Sequence, residues 1–142
     1  MTIATILAGK GGDTVTITAE HKVADAVKLL AECRIGAVPV LRDGQVAGIF
    51  SERDVIHCLA EHGSAALDRP VSDAMTAPAI TIGRSEAVLG ALTLMTRRRV
   101  RHLPVVEDGV LVGFVSIGDL VKYRIDKIEA DAEAMRSYIQ TA

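Results

Sequence analysis

The chain has 142 residues, of which 49% are hydrophobic, and a formal net charge of −2 at neutral pH. This length and composition fit one compact domain with a sizeable core. The near-neutral charge gives no general attraction to DNA or to an anionic membrane surface. With two phenylalanines, two tyrosines and no tryptophan, the chain also has few aromatic rings on which single-stranded bases could stack. We therefore predict no nucleic-acid partner.

The sequence indicates neither a membrane anchor nor a metal centre. No apolar run approaches the ~20 residues that span a bilayer, and no basic amino-terminal region precedes an apolar stretch. We therefore expect a cytoplasmic protein that does not contact a membrane. Cys33 and Cys58 match no CxxC or zinc-ligand spacing, and the four histidines fit no metal motif. Both cysteines are interpreted as reduced core residues.

The chain contains an internal repeat. Residues 15–56 align with residues 80–121 without a gap, each paired with the residue 65 positions later, and 13 of the 42 pairs are identical. Unrelated segments would share about 3. Each unit is too small to bury its own apolar face, so we expect the two copies to pack about a pseudo-twofold axis. A functional site is then expected where the copies meet.

Changes of periodicity mark the elements of the first copy in a fixed order. Ahead of it, Gly9-Lys10-Gly11-Gly12 lacks the order of a phosphate-binding P-loop and is predicted to be a flexible turn. The pattern then predicts a strand at 14–18, a helix through Val23, Ala26, Val27 and Leu30, strands at 37–41 and 46–50 around the turn Asp43-Gly44, and a helix from Ser51 to about His62 that Gly63 ends.

The second copy repeats this order after a connector at 63–70 and a leader at 71–78. Its predicted elements are a strand at 79–82, a helix at 86–98, strands at 102–106 and 111–115 around the turn Asp108-Gly109, and a helix from Ile117 onward. Each copy is therefore predicted to be a β-α-β-β-α unit. The predicted fold class is α/β, of the α+β kind.

The end of each hairpin carries the same motif, G-x-x-S-x-x-D. It is formed by Gly48, Ser51 and Asp54 in the first copy and by Gly113, Ser116 and Asp119 in the second. With 71–76 (VSDAMT) ahead of the second copy and 101–105 (RHLPV) within it, the tandem unit resembles a pair of cystathionine-β-synthase (CBS) domains, often called a Bateman module. The resemblance covers nearly the whole chain. It implies a first repeat with its amino-terminal segment at 1–66, a second repeat at 67–124 and a helical extension at 125–142.

CBS pairs are mostly ligand-sensing regulatory modules, and the resemblance implies an adenine nucleotide bound in the cleft between the repeats. AMP is the first expectation, with ATP or NAD(H) as alternatives. The arginine-rich second copy disfavours S-adenosylmethionine, which carries no phosphate. The residues predicted to bind the nucleotide are Thr16, Ile35, Ala37, Val38, Ser51, Arg53, Asp54, Thr81, Arg99, Arg101, His102, Leu103, Pro104, Ser116 and Asp119.

The Ser-x-x-Asp pairs admit two roles that can coexist. A serine followed three residues later by an aspartate at a helix start forms a capping box, which satisfies unpaired backbone amides. The same helix start suits phosphate or ribose oxygens, and a carboxylate suits vicinal hydroxyls. The second copy also has a basic stretch at 97–102 where the first has few cations, so unequal sites are expected. Within it, Arg97 and Arg98 are interpreted as a solvated face.

Two further alternatives stay open at this stage. Gly48 and Gly113 either serve the strand geometry or allow a ligand to approach the backbone closely. A stripe of apolar residues on the last helix either packs on the chain's own core or contacts a second copy in a homodimer. The stripe consists of Val121, Ile125, Ile128, Ala132, Met135 and Ile139.

The sequence does not indicate an enzyme or a catalytic cofactor. The candidate nucleophiles Ser51, Ser116, Cys33 and Cys58 have no His/Asp set that both copies share. We predict a regulatory module that binds an adenine nucleotide and transmits its occupancy to an unidentified effector protein. The alternative is a ligand-free dimeric scaffold that docks through its last helix, in which Asp54 and Asp119 would be caps only.

Overall fold

The computed structural model describes residues 1–11 and 13–141. It confirms the predicted α+β class and the repeated order of elements. In chain order these are α1 (Ile3–Lys10), β1 (Ile17–Thr18), α2 (Val23–Cys33), β2 (Ala37–Arg42), β3 (Gln45–Ser51), α3 (Glu52–His62), a 3₁₀ helix (Gly63–Asp68), α4 (Val71–Ala74), α5 (Val88–Arg98), β4 (His102–Glu107), β5 (Val110–Ser116) and α6 (Ile117–Thr141).

Each copy is built on an antiparallel hairpin, β2–β3 in the first and β4–β5 in the second. Both turns are Asp-Gly with positive φ at both residues, 53° and 78° at Asp43 and Gly44, and 51° and 77° at Asp108 and Gly109. Two successive left-handed residues are typical of the type I′ turn, whose twist matches that of the flanking strands. Both predicted hairpins are therefore confirmed.

The first strand of each copy is shorter than predicted. β1 has two residues, which pair in parallel with β2. The strand predicted at 79–82 is wrong, since only Ile82 forms a parallel bridge, to Val105. Residues 14–15 and 79–80, which lie ahead of these pairings, line clefts between the copies instead. The alternation of polar and apolar residues in these two segments therefore predicted a strand where the chain is not paired in a sheet.

The helices α2 and α5 bury residues at helical spacing against the hairpins. The buried residues are Val23, Ala26 and Leu30 in α2, and Val88, Ala91 and Met95 in α5. Both helices end at an arginine with left-handed backbone, at φ 54° for Arg34 and 55° for Arg99. A left-handed residue reverses the chain at the helix end. In each copy this reversal directs the following residues back towards the hairpin, past the space between the copies.

Two separate cores result, one for each copy. Val38, Val40 and Phe50 lie in the first core, and Leu103 and Val115 lie in the second. Each of these five side chains is at most 2% exposed. Burying an aliphatic or aromatic side chain of this size contributes roughly 1.5–3 kcal/mol. The hairpins are therefore held by the cores beneath them, and the space between the copies is left to other residues.

The segment that precedes each copy packs on the other copy. α4 precedes the second copy but places Val71 in the first core, where the Val71 N–H donates to the His21 carbonyl at 2.7 Å. α1 precedes the first copy but places Ile3 in the second core, where the Ile3 N–H donates to the Glu86 carbonyl at 2.9 Å. We call these two segments, α1 and residues 71–78, the leaders of the first and the second copy. Because each leader packs on the opposite copy, the two copies are interlocked.

The flexible turn predicted at Gly9-Lys10-Gly11-Gly12 is wrong over its described part. Gly9 and Lys10 end α1, and Gly11 caps it with φ 62° and an N–H bond to the Leu7 carbonyl at 3.2 Å. Gly12 lies outside the described residues. The helix has only eight residues, and its apolar side is buried against a copy whose sequence begins far downstream. Local periodicity was therefore too short to indicate it.

The prediction of two core cysteines holds for Cys58, which is buried, and is wrong for Cys33, which is exposed. The last turn of α2 extends past the first core, since residues 31–34 are all exposed.

α6 continues from the second copy, and its first turns place Leu120 in the second core. Beyond that point five of the six residues of the predicted apolar stripe are exposed, from 43% at Val121 to 67% at Ile139, and Ala132 is half-buried. The alternative in which it packs on the chain's own core is therefore wrong. Within residues 1–11 and 13–141, no helix combines the length and apolarity required to cross a membrane.

Candidate functional site: two clefts between the copies

Two clefts lie between the copies, each where a hairpin ends and a helix begins. The larger, of about 590 Å³, combines the start of α3 with residues 98–102 and is called the Asp54 cleft. The smaller, of about 450 Å³, combines the start of α6 with residues 34–37 and is called the Asp119 cleft. Gly36 and His102 line both. The clefts are therefore matched in construction and share a wall.

In the Asp54 cleft, the carboxylate forms the capping box that the sequence predicted. Oδ2 of Asp54 accepts hydrogen bonds from the Ser51 N–H at 2.9 Å and from the Ser51 hydroxyl at 3.1 Å. Oδ1 accepts one from the Thr76 hydroxyl at 2.9 Å. Thr76 belongs to the leader of the second copy, so the crossing of the leaders brings a neutral hydroxyl to this carboxylate.

In the Asp119 cleft the same capping box meets a charged partner. Oδ2 of Asp119 accepts the Ser116 N–H at 2.8 Å and the Lys10 ammonium at 2.9 Å. The same ammonium donates to the Phe114 carbonyl at 2.8 Å. Burial by itself raises the pKa of Asp119, but the bonds from the Ser116 amide and from Lys10 outweigh it and hold the pKa below its usual range. Asp119 therefore stays ionised.

His102 forms the wall that the clefts share. Its ring stacks on the Phe114 ring, and burial lowers the pKa of His102. The charges of Asp119 and Glu52 oppose this shift, whereas those of Lys10 and Arg101 add to it. At neutral pH the neutral imidazole is favoured, so it contributes an apolar face and one N–H donor to the wall.

The cations differ between the clefts, as expected. Arg53, Arg98, Arg99 and Arg101 line the Asp54 cleft, whereas Lys10 and Arg34 line the Asp119 cleft. Among the residues that the structure describes, none of the four arginines lies within ion-pairing distance of a carboxylate. The Asp54 cleft is therefore lined by four exposed arginines without an ion pair among the described residues, together with the carboxylates of Glu52 and Asp54. Arg98 was interpreted as solvated, and although exposed it also lines this cleft.

The two motif glycines are required by the leaders. A Cβ on Gly48 would lie 2.7 Å from the Thr76 carbonyl oxygen and 2.9 Å from the Met75 sulfur. A Cβ on Gly113 would overlap the Leu7 side chain. The close approach that these glycines allow is that of the chain's own leader segments, and their closeness to a ligand stays a prediction.

The structure brings ten of the fifteen predicted residues to the clefts. Ser51, Arg53, Asp54, Arg99 and Arg101 line the Asp54 cleft, Ile35, Ala37, Ser116 and Asp119 line the Asp119 cleft, and His102 lines both. Thr16, Val38, Thr81, Leu103 and Pro104 line neither cleft. Val38 and Leu103 alternate with cleft residues along their strands, so their side chains enter the cores. As nucleotide-binding residues, all fifteen stay predictions.

Sequence reasoning missed Lys10, Arg34 and Thr76 as cleft residues. Thr76 directly follows Met75 in the leader motif, and Arg34 is identical to its repeat partner Arg99, so both carried a usable signal. Lys10 has no counterpart in the gapless alignment, which begins at residue 15. Its role depends on α1 packing against the second copy, a contact between elements that are about 110 residues apart in sequence.

Two β-α-β-β-α copies with matched clefts between them define a tandem-repeat protein of the α+β class. The chain belongs to the CBS domain family, whose model matches residues 12–61 and 71–126. The resemblance recognised in the sequence is confirmed.

Relatives and solved structures agree with this assignment. A mitochondrial CBS domain-containing protein of Arabidopsis thaliana is 34% identical over 148 residues, which cover 98% of this chain and 72% of that protein. A CBS-domain containing protein from Agrobacterium tumefaciens is similar at TM-score 0.83 and 39% identity, over 87% of this chain and 99% of that one. A Pyrobaculum aerophilum CBS domain protein, complexed with AMP, is similar at TM-score 0.74 and 25% identity, over 84% of this chain and 89% of that one.

Proposed function

We propose that the chain is a regulatory module that binds an adenine nucleotide, with AMP as the first candidate, and transmits its occupancy to an effector protein. The Asp54 cleft is the primary site. One observation carries the proposal: an accepting carboxylate at a helix start faces the same space as four arginines that have no ion pair among the described residues. The AMP bound by the Pyrobaculum relative supports the choice of ligand.

Asp54 would hold the ribose. A carboxylate offers paired acceptors for two vicinal hydroxyls and no competing donor. Among the residues that the structure describes, its Oδ1 bonds a single neutral hydroxyl, that of Thr76 at 2.9 Å, and a threonine hydroxyl can rotate to accept from a ribose as well as donate. The cap at Oδ2 remains in place during this exchange, so binding does not unravel the start of α3.

The arginines would hold the phosphate. Arg53 lies in the first turn of α3 in the first copy, and Arg99 and Arg101 lie just before β4 in the second copy. Cations therefore reach the cleft from both copies. Guanidinium groups bind phosphate through two parallel N–H bonds, which fixes the orientation of the phosphate. The base would then lie against the aliphatic side chains of Ile49, Ile80 and Val100, which line the same cleft.

A ligand in this cleft contacts both copies at once. It can therefore favour one relative placement of the copies over another, which is the requirement for transmitting occupancy. We further propose that two modules form a homodimer through the exposed stripe of α6, because a twofold contact needs only one self-complementary patch. The effector would then bind a surface whose shape depends on the placement of the copies.

The experiment that tests the function is calorimetric titration of the purified chain with AMP, ATP, NADH and adenosine. We expect saturable binding of a phosphorylated ligand. Asp54→Asn keeps the size of the side chain and a capping oxygen but removes the charge and one acceptor, so it should weaken AMP binding by about tenfold. Asp43→Asn is the matched control, since this residue lies in the first hairpin turn away from both clefts.

A second pair of variants tests the phosphate contact. Arg101→Gln should weaken AMP binding more than adenosine binding, whereas Arg97→Gln should change neither, because Arg97 does not line a cleft. If no nucleotide binds the folded chain, the sensor proposal fails. The exposed stripe of α6 would then favour the second candidate, a ligand-free scaffold that docks through this helix.

A further inference from the structure

We infer that Lys10 makes the Asp119 cleft selective. Adenine ligands that carry a phosphate bind there in preference to those that do not. The inference deepens the proposed function and rests on it. Lys10 is the last residue of α1, and its ammonium bridges the Asp119 carboxylate at 2.9 Å and the Phe114 carbonyl at 2.8 Å. The chain therefore places its own cation on the carboxylate that a ribose would have to bind.

The Asp54 cleft provides the internal comparison. There the equivalent carboxylate meets Thr76, a neutral hydroxyl that can both donate and accept. Lys10 has three donors and no acceptor, so it can donate to a ribose hydroxyl but cannot accept a hydrogen bond from one as Thr76 can. Each cleft has its own capping box. The clefts differ in the charge of the leader residue that reaches them, which is neutral for Thr76 and positive for Lys10.

Two ribose hydroxyls that bind both oxygens of Asp119 have to displace the ammonium from Oδ2, and a ligand without a phosphate offers that ammonium only neutral oxygens in return. Its hydroxyls carry no charge, so the exchange gives up the attraction between the ammonium and the carboxylate, which is modest for a partly exposed pair. Lys10 would keep its bond to the Phe114 carbonyl but lose its anionic partner, and water offsets part of this loss because the Lys10 and Asp119 side chains are 43% and 27% exposed. A nucleoside therefore competes poorly for Asp119.

A phosphate removes this obstacle because it gives the ammonium another anion within the same cleft. Arg34 also lines the cleft and supplies a second cation for the phosphate. The lysine side chain is a flexible stem that can transfer its charge from the carboxylate to the ligand. Asp119 is then left to accept the ribose hydroxyls. Lys10 thus opposes one class of ligand and assists the other.

The two effects give Lys10→Met an unusual signature. Removing the ammonium should strengthen adenosine binding in the Asp119 cleft by about two- to fivefold and weaken AMP binding there by a similar factor. A lysine that only bound phosphate would leave adenosine unchanged, and one that only held α1 in place would weaken both ligands. Lys10→Arg keeps the charge and should keep the preference for AMP.

Methyl NMR of the full chain identifies which cleft responds. The Leu7 and Val112 methyls report on the Asp119 cleft, and the Ile49 and Ile80 methyls report on the Asp54 cleft. Adenosine and AMP are titrated separately into the wild-type chain, Lys10→Met, Lys10→Arg and the control Lys28→Met, whose lysine lines neither cleft. The dissociation constant is taken from each set of methyls.

The inference is supported if adenosine moves the Leu7 and Val112 signals at lower concentration in Lys10→Met than in the wild type and AMP does so at higher concentration. It is overturned if adenosine affinity in the Asp119 cleft is unchanged or reduced in Lys10→Met, or if AMP never reaches that cleft while filling the other. If AMP moves neither set of signals in the wild type, the proposed function itself has failed. Unchanged Asp54-cleft signals confirm that Lys10→Met is folded.

Discussion

His102 and Phe114 lie face to face, with ring centroids 5.4 Å apart and an angle of 11° between the ring planes. Phe114 lines the Asp119 cleft and His102 lines both clefts, so this stack forms the wall between them. Partial burial of the imidazole in this wall lowers the pKa of His102, although the nearby carboxylates of Asp119 and Glu52 act to raise it. An ionisable ring therefore lies between the two candidate sites.

The lowered pKa of His102 predicts a loss of stability in mild acid. As the pH falls below the ordinary histidine value of 6.5, the unfolded chain takes up the proton before the folded chain does. The free energy of unfolding should therefore decrease as the pH falls through this range towards the folded pKa. Urea unfolding at pH 7.5, 6.5 and 5.5, conditions chosen around the ~6.5 reference value, measures the effect.

The matched variants for this test are His102→Gln and His57→Gln. The first should flatten the pH dependence above pH 5.5, and the second, at an exposed site on α3, should not change it. An identical pH dependence in the wild type and in His102→Gln would contradict the prediction.

The Lys10–Asp119 pair predicts a second pH effect at lower pH. The pKa of Asp119 is held below the ordinary value of 3.8, so the pair stabilises the folded chain above that value and the stabilisation is lost as the pH falls through the folded pKa. Lys10→Met should therefore lower the free energy of unfolding at pH 7 by about 0.5–1 kcal/mol and by less at pH 2.5. Urea unfolding at the two pH values measures this difference.

Lys28→Met is the control for this prediction, because Lys28 makes a long contact of 3.9 Å with Glu32 between two exposed side chains. It should change stability little at either pH. Equal destabilisation by Lys10→Met at both pH values would mean that Lys10 acts by packing rather than by charge.

The motif glycines predict unequal responses to alanine. Gly48→Ala brings a methyl group against the Thr76 backbone carbonyl, which cannot move without disturbing the leader of the second copy. Gly113→Ala brings one against the end of the Leu7 side chain, which can rotate away. We expect a loss of about 2–3 kcal/mol for Gly48→Ala and about 1 kcal/mol for Gly113→Ala.

Thermal unfolding compares these two variants with Gly9→Ala. Gly9 lies within α1 with nothing near its Cβ position, so alanine there should stabilise the helix by about 0.5–1 kcal/mol. If Gly113→Ala is the more damaging of the two motif variants, the interpretation of the leader contacts is wrong.

The exposed stripe of α6 predicts a homodimer. Ile125→Glu and Ile128→Glu place a charge on residues that are 50% and 54% exposed, so they should leave the fold intact and break the contact between modules. Light scattering after size exclusion should give twice the chain mass of 15.0 kDa for the wild type and 15.0 kDa for the variants. Ala130→Glu, which lies outside the stripe on the same helix, is the control. A wild-type chain that elutes as a monomer would refute the dimer.

The sequence by itself determined the repeat, the two hairpins and the capping boxes. These are local features: Asp-Gly between apolar runs determines a type I′ turn within four residues, and Ser51 and Asp54 satisfy amides of their own helix. Because the copies align without a gap, a hairpin or capping box assigned correctly in one copy was also assigned correctly in the other. The family followed from the same patterns.

Only the tertiary structure decided which residues share a cleft. Thr76 reaches Asp54 and Lys10 reaches Asp119 because each leader packs on the opposite copy, and no local periodicity encodes that crossing. Alternation marked residues 14–16 and 79–81 as extended but could not tell a paired strand from a chain that turns into a cleft. A contact between distant segments forms where one segment covers apolar surface that the rest of the fold leaves exposed. Contacts of this kind determine the charge difference between the two clefts.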